Sequence, residues 1–178
     1  MVSLAFVFWL FVILGAIVGG TRGWAKELLV TFSVILGIFV ILVLETYVGF
    51  IQGMLQAGGP KLEFWVRSLI IFLLAFFGYQ TPGAIARFQT AARREKLQDS
   101  LLGIVLGGVN GYLIIGSAWA YLDRAGYPFD LISAPQPGNP LGEAAINLIT
   151  YLPPNWLDAP LIYFAIAVAF TFVVIVFV

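Results

Sequence analysis

Few side chains in this sequence could do chemistry. It has no histidine and no cysteine, which removes imidazole bases, thiol nucleophiles, disulfides and the commonest ligands of zinc and haem iron. Ser68, Ser100 and Ser117 therefore have no histidine to activate them, and no pair of carboxylates falls inside an apolar stretch as an acid and base would need. A metal would find only carboxylates, spread thinly along the chain. The reading is no catalytic residue, no cofactor and no metal site.

What remains is a set of charged and small residues at the ends of apolar stretches. Arg22, Lys26, Glu27 and Asp99 could form a polar cluster at the mouth of packed helices, gating or docking something. Their commoner role is as anchors, with Glu27 favoured near the start of one helix and Asp99 as cap or first-turn acid of another. Arg22 and Glu27 are five apart, a poor spacing for a pair within one helix. Asn110 is the polar side chain deepest in an apolar stretch. It could line a polar path, but hydrogen bonding between helices is the commoner role.

The elements that must position these residues are apolar. Of 178 residues 61% are hydrophobic and 10% charged, with mean hydropathy +1.01, too little polar surface to cover a water-soluble globule. The fold expected is all-α, a polytopic bundle of transmembrane helices, since each crossing of about 30 Å needs roughly 20 apolar residues. Spans are expected at about 2–20, 28–44, 66–86 and 100–122, with 160–178 a fifth candidate. The first lacks a basic start and a small-residue cleavage signature, so it reads as retained. In the third, Arg67 would snorkel to the interface and Pro82 would kink the far end. Residues 87–99 hold Arg87, Arg93, Arg94 and Lys96, expected as a basic helix on the lipid surface. Residues 123–159 are expected as an external loop with a short helix near 141–152 resting on the interface.

Basic residues concentrate in 21–27 and 87–99, whereas the opposite side holds Lys61, Arg124 and Arg67. That bias places the two basic loops in the cytoplasm and the start of the chain outside. Formal charge is zero, so nothing points to nucleic acid.

One pattern repeats. Gly15, Gly19 and Gly23 recur every four residues at the end of the first span, and Gly103, Gly107 and Gly111 do so in the fourth. Each series lies on one helical stripe where another backbone can approach closely. The two spans run in opposite directions with their glycines at one depth, so the stripes are expected to pack together. Inverted repeats of this kind also build transporters.

Two segments carry a resemblance. Gly19-Gly20-Thr21-Arg22-Gly23-Trp24-Ala25-Lys26-Glu27 is similar to the Arg-Gly hairpin of the colicin V production protein family. Lys96-Leu97-Gln98-Asp99-Ser100-Leu101-Leu102-Gly103, followed by Gly107 and Gly111, resembles that family's basic helix leading into Asp-x-Leu-Leu-Gly and a glycine ladder. The resemblance covers about residues 1–152. It departs where an Asp often found early in the family's first span has no counterpart, and where Asn110 replaces a frequent Arg. It implies a bacterial inner-membrane protein connected with colicin V production or export and with the cell envelope, without established chemistry. The partners expected are the lipid bilayer and either a second copy of the chain or another membrane protein. The alternative reading is a small channel or transporter built on the antiparallel glycine ladders.

Overall fold

A computed structural model describes residues 3–80 and 96–177. The described residues form seven helices and no strand: α1 (Leu4–Arg22), α2 (Trp24–Tyr47), α3 (Gly49–Tyr79), α4 (Lys96–Arg124), α5 (Pro140–Thr150), α6 (Pro153–Trp156) and α7 (Leu161–Phe177). The first four are long and apolar enough to cross a membrane. Their outward faces stay apolar, as Trp9, Ile13 and Ile17 on α1 and Phe72 and Phe76 on α3 show, because lipid rather than water is their solvent.

The turns are short. Gly23 alone separates α1 from α2, at φ 87°, a conformation that L side chains rarely adopt. Val48 alone separates α2 from α3. Within α3 the path breaks at Gly59, at φ 71°, just before Pro60, whose missing N–H removes a rung of the helical ladder.

The core lies where α2, α3 and α4 meet. Val30, Val34, Ile38 and Ile41 of α2 interlock with Ile71 and Ala75 of α3 and with Leu113 and Tyr121 of α4. α1 packs chiefly on α4, and α7 lies along α2, with Phe39 against Tyr163 and Phe32 against Phe172.

Several boundaries differ from those expected. The third helix begins at Gly49 rather than near residue 66 and ends at Tyr79, so the stretch taken for a loop is helical. Glu63 and Arg67 do not interrupt it because they pair. Arg67 does not snorkel freely: its Nε lies 2.6 Å from Glu45 Oε1 and its Nη1 3.1 Å from Glu63 Oε2, with 14% of the side chain exposed. Lys96 and Asp99 belong to α4 itself, so a separate surface helix does not extend to residue 99. Arg87, Arg93, Arg94 and Pro82 lie outside the described residues.

The loop expected at 123–159 holds α5 and α6. Asn139 caps α5, its Oδ1 accepting from Gly142 N at 2.7 Å, and Pro140 suits the first helical position. The fifth apolar stretch is the 17-residue helix α7.

Candidate functional site

Of the residues singled out in the sequence, Arg22, Glu27, Asp99, Asn110 and the two glycine series meet where the end of α1, the start of α2 and the first half of α4 come together. The geometry begins with the glycines. A Cβ added at Gly19 would lie 2.7 Å from Gly107 Cα, one at Gly107 would lie 2.8 Å from Gly19 Cα, and one at Gly15 would lie 2.5 Å from Gly107 O. At Gly103 it would lie 3.2 Å from Gly23 Cα, and at Gly111 2.8 Å from Phe11 O. Any side chain at these positions would collide with backbone, which cannot rotate away.

At the Arg22 end of this contact, α4 reaches across to α1 and α2. Ser100 Oγ donates to Gly20 O at 2.8 Å. Asp99 Oδ1 accepts from Trp24 N at 3.1 Å. No side chain within the hairpin caps α2, so Asp99 supplies from 75 residues away the acceptor that a local cap would provide. Its negative charge also suits the positive end of the α2 dipole. Gly23 makes room for it, since a Cβ there would lie 2.7 Å from both Asp99 carboxylate oxygens.

Glu27, one turn into α2, is fully buried. Its Oε2 accepts from Asn110 Nδ2 at 2.7 Å, and the same amide donates to Glu27 O at 2.9 Å. Thr31 Oγ1 lies 2.7 Å from Asn110 Oδ1 and 3.1 Å from Glu27 O, so its single proton serves one of the two at a time. Glu27 Oε1 has no hydrogen bond and faces Arg22 Nε at 3.3 Å, an ion-pair distance without hydrogen-bond alignment. Arg22 pairs with Glu27 because Gly23 breaks the helix between them, so the spacing rule for a continuous helix does not apply. The guanidinium also donates to Tyr79 O at 3.2 Å and stacks 4.3 Å from the Tyr79 ring centroid, which draws α3 into the cluster.

Arg22, Glu27, Asp99 and Asn110 thus sit in one polar clasp joining four helices, while Lys26 takes no part in these contacts. Thr31 and Tyr79 join it without having been singled out. Thr31 could have been found, since it follows Glu27 by four residues and shares its helix face. Tyr79 gave no such signal. Among the described residues no group of three or more His, Cys, Asp or Glu could hold a metal ion. What the arrangement does is fasten helices: a buried carboxylate held by an amide and a guanidinium, and a helix start capped from another helix.

The Asp99 contact makes a specific expectation. Asp99→Ala should lower stability by about 1 kcal/mol, the usual loss when a capping side chain is removed. Asp99→Asn, which keeps an oxygen acceptor, should lose less. Melting temperatures of the purified variants in one detergent check the order.

Four helices long and apolar enough to cross a membrane, clasped by buried polar contacts, define a multi-pass helical membrane protein. The family model described as Colicin V production protein matches residues 4–130, and the chain belongs to that family. No curated protein and no solved structure matches it.

Proposed function

We propose that the chain works without catalysis in the bacterial inner membrane, in toxin or bacteriocin production or export and in cell-envelope homeostasis, through helix packing and protein partners. The start of α1 faces outward and the Arg22–Asp99 end lies in the cytoplasm, as the basic residues favour. The glycine stripes of α1 and α4 hold these spans together, α7 crosses as a fifth span, and either a second copy or another membrane protein completes the assembly. Membership of the colicin V production family supports the export reading.

One observation carries the noncatalytic part of the proposal. Four polar groups of the two motif segments are engaged with other helices rather than gathered around an open space: Asp99 with Trp24, Ser100 with Gly20, and Glu27 with Asn110 and Arg22. Beyond them the interior is filled by Val34, Ile38, Ile71 and Leu113, none more than 4% exposed. That filling weighs against a water path through a single copy, as the channel or transporter alternative would need.

Two measurements test the proposal. In a bacteriocin-producing host deleted for its own family member, the chain should restore toxin release. Accumulation of folded protein without restored release contradicts the export role. Single cysteines placed along α1 and α4 should give no continuous stripe of water-accessible positions, and such a stripe would establish the conduit instead.

A further inference from the structure

The corner that joins α5 to α6 does not lie above the bundle. A Cβ added at Gly116 on α4 would meet Pro153 Cδ at 2.8 Å and Phe8 Cε2 at 3.4 Å, so Pro153 shares the level of Phe8. Phe8 is four residues into α1, about 6 Å of helical rise from Leu4. At the same level, Tyr112, whose ring lies edge-on to that of Phe8 with centroids 6.1 Å apart, donates to Tyr151 O and accepts from Trp156 Nε1 at 2.8 Å. α1 itself, 19 residues and about 28 Å long, is close to the thickness of the hydrocarbon.

The start of α7 lies beside the last turns of α2. Tyr163 packs edge-on to Phe39 with ring centroids 6.1 Å apart and also reaches Tyr47, so it sits between Phe39 and the end of α2 at Tyr47.

Irregular backbone at that depth is tolerated only where its polar groups are satisfied inside the protein. Here they are. Besides Tyr151 O, Arg124 Nη2 donates to Pro154 O at 2.6 Å and Asn155 Nδ2 donates to Ile149 O at 2.7 Å. Asn155 N and Leu157 N reach Leu152 O and Pro153 O at 2.9 and 2.8 Å. Pro153 and Pro154 bring no N–H that would need a partner. Leu152 and Pro153 are buried against the bundle, while Tyr151 is 70% and Trp156 46% exposed.

We propose that residues 151–157 form a re-entrant corner immersed in the leaflet that holds the start of α1, with the outward edges of Tyr151 and Trp156 contacting lipid in its upper acyl region. The corner is an interaction surface for the bilayer rather than part of an aqueous loop. Trp156 Nε1, the one polar atom of its ring system, is already engaged by Tyr112, so the exposed edge it presents is apolar.

Because the chain has no cysteine, single substitutions report without further engineering. Spin labels at Tyr151→Cys and Leu161→Cys, in vesicles of phosphatidylethanolamine and phosphatidylglycerol, are compared by collision with oxygen and with a water-soluble nickel chelate. Phe170→Cys in α7 and Leu131→Cys in the exposed connection between α4 and α5 serve as references. The expected result is an oxygen-to-nickel ratio closer to that of Phe170→Cys at both test positions. The Tyr151 contact runs through its backbone carbonyl, so the substitution keeps it, and Leu161→Cys reads the same depth from another helix. A ratio at either position equal to that of Leu131→Cys overturns the proposal.

Discussion

Gly107→Ala should shift the unfolding equilibrium toward the unfolded state by about five- to 150-fold, the equivalent of the 1–3 kcal/mol that overpacking a tight contact costs, while Gly108→Ala should leave it unchanged or slightly improved. The two positions are adjacent on one helix and differ only in what a methyl group meets. At Gly107 the added carbon would fall 2.8 Å from Gly19 Cα, whereas at Gly108 its nearest neighbour would be Ala16 Cβ at 3.6 Å, an ordinary contact. Intrinsic preference runs the other way at both sites, since Ala is favoured over Gly within a helix by up to about 1 kcal/mol. A loss at Gly107 is thus a packing effect that overcomes propensity. Larger groups should act in the same sense, with Gly19→Leu or Gly107→Leu sharply reducing the amount of folded protein in the membrane. Equilibrium unfolding of purified variants by titration with a denaturing detergent, read by circular dichroism, gives the comparison.

Asn110→Leu should cost about 2–3 kcal/mol, and Glu27→Gln introduced beside it should recover part of the loss. The fully buried Glu27 carboxylate receives one hydrogen bond, from Asn110. Removing that donor leaves a charge whose remaining partner is the Arg22 guanidinium at 3.3 Å. Hydrogen bonds to charged groups contribute about 1.5–3 kcal/mol, and an uncompensated buried charge costs more than the bond itself is worth. Replacing the carboxylate by an amide removes the charge, and Arg22, 23% exposed, can turn toward water. The double variant should therefore be more stable than Asn110→Leu alone. Melting temperatures of the single and double variants measure the coupling, and strict additivity would show that the two groups do not depend on each other.

The sequence makes the class of fold legible because hydropathy is a bulk property: long uncharged stretches can be satisfied only by lipid. The glycine spacing is equally visible, since a four-residue interval marks one helix face whatever lies opposite. Other features were hidden for identifiable reasons. The long α3 was obscured by Lys61, Glu63, Arg67 and the Gly58-Gly59-Pro60 break, which together look like a loop. Two of those charges are neutralised by contacts, and Glu45, the partner from outside the segment, is 22 residues from Arg67.

The target of Asp99 was hidden because its cap serves a helix start 75 residues away, and local capping patterns do not reach that far. Asn110 stood out as a polar residue in an apolar span, but its partner could not be read, because interhelical pairing depends on rotation and register that no single helix encodes. The depth of residues 151–157 was unreadable for a related reason: prolines and polar side chains mark irregular backbone, while its position depends on where Tyr112, Gly116 and Arg124 receive it.

The central claim is that α1 and α4 lie backbone to backbone along their glycines, bringing the Arg22 turn and Asp99 into one clasp. It is tested most directly by a disulfide. A Cβ at Gly108 would lie 3.6 Å from Ala16 Cβ, within the separation a disulfide requires. In a chain without cysteine, the Ala16→Cys, Gly108→Cys pair should therefore close within one molecule when native membranes are treated with a mild oxidant. Ala16→Cys paired with Val105→Cys, on the lipid-exposed face of α4, should not close. Absence of the internal disulfide, crosslinking only between copies, or equal yield from the Val105 pair would contradict the arrangement.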